Sequence, residues 1–235
     1  MRQIIDLTHV VTPAIPLFPG DLAFARAPSA DCGRQGYAAY HFTMEEHCGT
    51  HVDAPLHFVP GGTPVDAIDA GTLWAPAVVI DVSSKVPGTG EYAVSTTDLD
   101  AWEKVHGPIP RGAIVMVRTG WDARWEEPAR YLNLDAKKVP RFPGLGAAAA
   151  RRIVARGAVA VGIDTLSLDP GSSTDFPAHH VLFGAGLYGV ENLASLDRVP
   201  ALGATVVVAP ARLGGGTGAP ARVLARLPDT SPGRP

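Results

Sequence analysis

Residues His47 to His57 read His-Cys-Gly-Thr-His-Val-Asp-Ala-Pro-Leu-His, which places three imidazoles and a carboxylate in one short run. Gly49 and Pro55 oppose a continuous helix there, since proline in a helix interior costs roughly 3 kcal/mol, although His47 and His51 would share a helical face. In an extended segment side chains alternate between faces. Positions 47, 51, 53 and 57 are all odd, so the four groups would point the same way. The expectation is a strand that ends in a tight turn and presents its polar groups from a rigid support.

Two imidazoles and a carboxylate suit a divalent ion such as zinc or manganese, because nitrogen donors and one hard oxygen leave positions open for water and substrate. A structural zinc site would instead be closed by four protein ligands, usually with thiolates, and Cys48 has the opposite parity to its neighbours. A lone histidine is usually an ordinary polar or core residue held by hydrogen bonds. Here four of the chain's eight histidines fall between His41 and His57, a density that favours a site.

The 235 residues are 46% hydrophobic and 18% charged, enough for a full core and without a linker that would divide it. One domain over 1–227 with a flexible tail over 228–235 is expected. The net charge of -3, with no basic run, gives nothing to recruit nucleic acid or anionic lipid. Cys32 and Cys48 make no disulfide framework. Asp6 stands where a signal peptide would need its apolar core, and no apolar run reaches the ~18 residues of a membrane span, so a cytoplasmic protein is expected.

Gln3 to Thr8 reads as a short strand. Pro13, Pro16, Pro19 and Gly20 then force an extended surface segment carrying Phe18 and Phe24. Such rings either line a pocket for a flat substrate or pack down onto the body, and packing is the commoner outcome. Tyr37 to Glu46 reads as a strand leading into the histidine run, with further short, β-branched strands at Ala77 to Val82 and Ala113 to Thr119. Thr97 to His106 has a capping threonine, acidic residues in its first turn and Gly107 after its end, which marks a helix. Gly120 to Phe142 mixes Trp121, Trp125, Tyr131 and Phe142 with charges and prolines and has no period, as a long excursion or lid would.

Gly144 to Arg156, ended by Gly157, is a helix, and Ala158 to Asp164 a buried strand. This alternation indicates an α/β architecture with strands curved into a barrel-like sheet. Asp164, Thr165, Ser167 and Asp169 follow that strand's carboxyl end, either as part of a site or as a turn satisfying its own backbone. His179 and His180 precede Glu191, which follows an apolar run and would be costly to bury without a partner such as a metal. An exposed helix-capping glutamate is the alternative. Ala204 to Ala209 and Ala221 to Leu227 read as closing strands around the Gly214 to Gly218 turn.

Several of these segments, in order, resemble the bacterial cyclase family of metal-dependent hydrolases, which includes kynurenine formamidase and isatin hydrolase. They are Asp6-Leu7-Thr8, Phe18-Pro19-Gly20-Asp21, the His47 to His57 core, Gly162-Ile163-Asp164-Thr165, His179 to Leu193 and Gly218-Ala219-Pro220-Ala221-Arg222. The core motif is specific, and the others would be weak alone. The resemblance implies a swivelling β/β/α fold with a barrel-like central sheet flanked by helices, assembled as a homodimer or homotetramer. It implies metal ligands at His47, His51 and Asp53, a catalytic histidine at His57, and a second ion completed by His179 and Glu191 with Asp53 bridging. The family spacing to the acidic residue favours His179 over His180. This chain departs from the formamidases in having Phe18 where they often carry tryptophan and in a long Ser84 to Phe142 region. It departs from isatin hydrolase, which resembles a single-metal design with glutamine where this chain has Glu191.

The implied activity is metal-dependent hydrolysis of an aryl formamide or related amide, kynurenine formamidase-like, with zinc or manganese as one or two ions per chain and Phe18 against a small-molecule substrate. A divalent ion brings the pKa of water from 15.7 towards about 7, and an imidazole with a pKa near 6.5 can protonate the departing nitrogen. An isatin-type lactam hydrolase, a biosynthetic cyclase or dehydratase, and a non-catalytic metal-binding scaffold are the alternatives. No Gly-x-Ser-x-Gly elbow supports a serine nucleophile.

Overall fold

Short apolar strands with hydrophobic side chains on both faces need cover on both sides, and the chain provides it by curling its sheet. The computed structural model describes residues 3–228. Its elements in order are β1 (Ile4–Asp6), β2 (Ala25–Ala30), α1 (Cys32–Gln35), β3 (Ala39–Thr43), β4 (His51–Asp53), β5 (Trp74–Asp81), β6 (Ala93–Val94), α2 (Thr96–His106), β7 (Ile114–Arg118), α3 (Pro128–Leu132), β8 (Gly144–Leu145), α4 (Ala147–Ala155), β9 (Ala160–Ile163), α5 (Pro177–Gly184), β10 (Tyr188–Glu191), β11 (Ala204–Pro210) and β12 (Gly218–Arg226). The main sheet runs β1-β12-β11-β5-β7-β9-β10-β4, and β4 also pairs with β12, so seven strands close into a barrel with β1 on its rim. The run β5, β7, β9, β10 is parallel, whereas β4, β11 and β12 pair antiparallel. The architecture is the expected α/β barrel-like sheet with flanking helices.

Strand parity sorts the core into two layers. Ala77 and Val79 of β5, Ile114 and Met116 of β7, and Val52 of β4 fill the barrel interior with Val206, Val208 and Val223. Val78, Ile80, Val115, Val117, Val161 and Ile163 face the other way, under Leu99 and Trp102 of α2, Ile153 of α4 and Leu182 and Phe183 of α5. Burial on both faces is why these parallel strands read as continuous apolar runs. Each valine, leucine, isoleucine, methionine or phenylalanine side chain among them contributes about 1.5–3 kcal/mol by leaving water.

Several expectations shift in the structure. The histidine run is extended only over β4; Gly49, at φ +65°, turns the chain between His47 and His51, and His57 ends a single helical turn, Pro55–His57, entered at the proline. Strand parity therefore aligns His51 with Asp53 alone. The Tyr37 to Glu46 strand shrinks to β3, pairs only with β2 as a two-stranded ribbon, and does not run into the histidines. Helix α2 begins at Thr96 and is capped by Ser95, which forms a capping box with Asp98, rather than by Thr97. The Gly120 to Phe142 excursion is no open lid: Trp121, Trp125, Tyr131 and Phe142 are buried against Ile15, Cys48 and Leu166, with Phe18 and Phe24 beside them. Its aromatic content pulls it onto the body. Among the described residues no helix is long and apolar enough to cross a membrane. Of the tail expected over 228–235, all but the exposed Pro228 lies outside the described residues.

Candidate metal centre

Because Val52 points into the barrel, His51 and Asp53 point out of it, towards α5, where β4 closes the barrel between β10 and β12. The register puts Glu191 directly across from His51, on the same outer face, and Gly189 across from Asp53. Gly218 lies across from Asp53 on the other side. A Cβ at Gly218 would come 2.5 Å from His47 Cε1, so glycine there is what lets the His47 ring reach Asp53. His179, on α5, comes down from above.

The distances are short and centre on one carboxylate. Asp53 Oδ1 lies 2.6 Å from His47 Nδ1 and 3.1 Å from His51 Nε2, and Oδ2 lies 3.4 Å from His179 Nε2. Glu191 Oε1 is 3.2 Å from His179 Nε2, and Oε2 is 3.5 Å from His51 Nε2. Two overlapping triads result, His47–His51–Asp53 and Asp53–His179–Glu191, and within each the ligand-type atoms all lie within 4.8 Å of one another. The neighbour of His179, His180, is exposed, so the inward histidine is His179. Glu191, 4% exposed and on a strand, is not a helix cap.

The outer hydrogen bonds aim each ring. His51 Nδ1 donates to the Gly49 carbonyl at 2.9 Å, which leaves Nε2 facing the carboxylates. Among the described residues that buried nitrogen has no hydrogen-bond partner. His179 Nδ1 meets Asp169 Oδ2 at 2.6 Å, and Asp169 also accepts from the backbone N–H groups of Ala178 and His179. The Thr217 hydroxyl donates to Glu46 Oε2 at 2.7 Å and so accepts from His47 Nε2 at 3.0 Å, which frees Nδ1 towards Asp53. Such second partners are how metal-binding imidazoles are commonly oriented.

The electrostatics follow from crowding carboxylates and imidazoles together away from water. Burial works against the Asp53 charge, yet the facing His51, with hydrogen bonds from His179 and His47, holds its carboxyl well below the usual range. Burial and the neighbouring Asp53 charge raise Glu191. Burial opposes the charge of His51, but Asp53 and Glu191 push its pKa up to about 9. His179 is raised well above the ordinary value against the same burial, by Asp169, Asp53 and Glu191. Protons on the imidazoles offset the buried carboxylates, and a divalent cation would do so while releasing them. The donor set and the orphaned His51 Nε2 fit a metal ion.

Beside this cluster opens a cavity of about 290 Å³ lined by Phe18, Asp21, His57, Phe58, Leu166, Ser167 and Phe176 as well as the five ligand-type residues. His57 stacks on His47 at 3.9 Å between ring centroids, and burial lowers its pKa to about 4, so it is neutral at pH 7. Phe18 both lines the cavity and packs on the aromatic cluster beneath it, so the two alternatives for that ring coexist. The Phe58 ring centroid lies 4.5 Å from that of His179 and 5.4 Å from that of Phe176, and Phe176 holds a left-handed backbone at φ +45°.

Sequence reasoning did not find Asp21, Phe58, Leu166, Phe176, Glu46 or Thr217. Phe58 had adjacency to His57 as a signal; Thr217, 170 residues from His47, had none. Of the group after β9, Asp169 joins the site through His179, whereas Asp164 is spent on Thr119 and Gly120.

The family whose profile is described as putative cyclase matches residues 5–170. An isatin hydrolase of Roseibium aggregatum is 32% identical, over 96% of this chain and 92% of its own length. A kynurenine formamidase of Paracidovorax citrulli is 30% identical, over 97% of this chain and 98% of its own. Among solved structures, isatin hydrolase A from Labrenzia aggregata, bound to benzyl benzoate, superposes with a TM-score of 0.90 at 36% identity, covering 97% of this chain and 94% of that one. A potential metal-dependent hydrolase with cyclase activity superposes at 0.75 and 25% identity, covering 97% and 100%.

Proposed function

This chain belongs to the putative cyclase family, and we propose from that premise that it is a metal-dependent hydrolase opening the C–N bond of an aryl formamide or related amide, in the manner of kynurenine formamidase. The observation that carries the reading is the convergence of His47, His51, His179 and Glu191 on Asp53, with His51 Nε2 left without a hydrogen bond. His47, His51 and Asp53 would hold one ion and Asp53, His179 and Glu191 a second, zinc or manganese in either case. When bound, the metal supplies Lewis acidity that activates water at neutral pH and polarises a carbonyl.

The remaining work falls to side chains. Phe18, Phe58, Phe176 and Leu166 offer a flat apolar wall for an aromatic ring and keep water from it. His57, neutral at pH 7, accepts a proton as water adds to the carbonyl and returns it to the departing nitrogen, a task worth roughly 10²–10⁴-fold in rate. Asp169, Gly49 and Thr217 keep the other rings in one tautomer. Residues 1–227 act as one cytoplasmic domain in this reading, in a homodimer or homotetramer. A lactam substrate of the isatin type is the second reading, supported by the TM-score of 0.90 to isatin hydrolase A.

Turnover of formanilides, lactams and lactones by the purified protein, with metal added and with metal chelated, tests this. Metal-dependent release of formate from formanilides is expected. Stoichiometric metal binding with no turnover of any of the three classes would leave a scaffold in place of an enzyme.

A further inference from the structure

The buried excursion over 120–142 reaches the ligand cluster through one unbroken line of hydrogen bonds. The Tyr131 hydroxyl donates to Asn192 Oδ1 at 2.8 Å, and Asn192 Nδ2 donates to the Gly49 carbonyl at 2.8 Å. That same carbonyl takes the Nδ1 proton of His51 at 2.9 Å. The direction of the line is fixed at its Gly49 end; at the other, the single Tyr131 proton is shared between Asn192 Oδ1 and the Asp164 carbonyl at 3.1 Å. A carbonyl only accepts, so the amide must present its NH₂ to Gly49, and its oxygen is then left to Tyr131, whose phenol burial keeps protonated. Asn192 itself is pinned: its N–H donates to Thr165, its carbonyl accepts from the Thr50 hydroxyl at 2.6 Å, and its backbone sits at φ +56° immediately after Glu191.

The Gly49 carbonyl has a competitor for the His51 proton. His51 Nε2 faces Asp53 at 3.1 Å and Glu191 at 3.5 Å, both acceptors that favour a proton on that nitrogen. Only the tautomer with its proton on Nδ1, aimed at the Gly49 carbonyl, offers Nε2 to a cation. The acceptor for Nδ1 belongs to a glycine in a left-handed turn, a backbone unit with more freedom than any other. Clamping that carbonyl from its second lone pair is what Asn192 is placed to do.

We infer that Asn192, backed by Tyr131, is a positioning residue for the metal centre, holding the Gly49 carbonyl so that His51 presents Nε2 to the ion. This rests on His51 being a ligand. Neither residue needs to touch substrate or metal.

The test is a titration of the folded protein with Zn²⁺ alone against a competing chelator, well below the melting temperature. Asn192→Asp keeps the size of the side chain but has no N–H, and Asn192→Gly keeps the left-handed backbone with no side chain. Both should bind zinc about 10–100-fold more weakly than the parent, the usual effect of losing an outer partner. Tyr131→Phe, which removes one oxygen and keeps the ring in its buried cluster, should weaken binding by a smaller factor and remains informative should an Asn192 variant not fold. Adding Tyr131→Phe to Asn192→Gly should cost nothing more, because the line is already cut. Zinc affinity within twofold of the parent in the folded variants, even with a lowered melting temperature, would overturn the inference and leave Asn192 a structural clamp. A parent that binds no zinc would overturn the ligand assignment itself and this inference with it, an outcome distinct from the first.

Discussion

Asp164 and Glu191 stand at the carboxyl ends of two neighbouring parallel strands, β9 and β10, both buried, and they meet opposite surroundings. Asp164 is enclosed by donors: the Thr119 N–H at 2.9 Å, the Thr119 hydroxyl at 2.6 Å and the Gly120 N–H at 2.7 Å. Glu191 has one backbone donor, Leu168 at 2.8 Å, and otherwise faces imidazoles and the like charge of Asp53. A carboxylate ringed by donors is finished within the fold. One set among imidazoles and beside a like charge calls for a cation. Position at a strand end is therefore insufficient to assign a site, and the chemistry opposite the carboxylate decides.

The sharpest way to test that contrast is to empty the acceptor-rich cluster of its shared nitrogen. His51→Ala should lose metal affinity by more than ~100-fold and lose turnover with it, since the remaining ligands lose a bond to the ion they arrange. Elemental analysis reporting undiminished metal would erase the distinction between the two carboxylates.

Next in size is His57→Ala, which removes a ring from the same cavity without touching either carboxylate. Metal and fold should stay, turnover should fall roughly 10²–10⁴-fold, and KM should change little, because the lost interaction belongs to the transition state. Metal lost from this variant would make His57 a ligand, and full activity would remove it from the mechanism.

Glu191→Gln probes the carboxylate directly. Two cations a few ångströms apart repel each other and need carboxylate charge between them, so the parent should take up two ions at saturating metal and the variant one. Titration calorimetry that counts the same number in both would refute the second position.

The smallest effect is expected on the donor-rich side. Asp164→Asn turns an NH₂ towards the Thr119 and Gly120 donors and should lower unfolding free energy by about 1–3 kcal/mol with metal binding intact. Burial, outweighing the Thr119 hydrogen bonds and helped by Asp122, pushes the Asp164 pKa up to about 7. A raised folded pKa means stability fully present below the unfolded value near 3.9 and lost as pH rises through about 7. Denaturant unfolding between pH 4 and 7 should show that decline in the parent and a flatter profile in Asp164→Asn. Equal slopes would show that Asp164 does not titrate in this window, and a variant depleted of metal would break the comparison.

Much of this site was legible in the sequence because its donors cluster locally. His47, His51, Asp53 and His57 lie within one short run, and their residue types are ones that metal chemistry requires. The strands β5, β7 and β9 and the helices α2 and α4 were legible for a related reason, since each carries its period and its stop signals in its own sequence. Parity failed for His47 and His57, because turns at Gly49 and Pro55 rather than one extended strand bring them to Asp53.

The sequence by itself determined which groups could bind a cation, how the buried strands and helices alternate, and that Glu191 would need a partner if buried. Only the tertiary structure decided that the imidazoles of His51 and His179 face Glu191, that Asp164 is complete without such a partner, and that the aromatic excursion is buried against the body. The physical reason is reach. Residue type and periodicity are local properties, whereas the desolvation of a carboxylate and the donors set opposite it depend on chain closure. Here β4 closes the barrel against β10 and β12, bringing His51 to Glu191 and Asp53 to Gly218 from far along the chain.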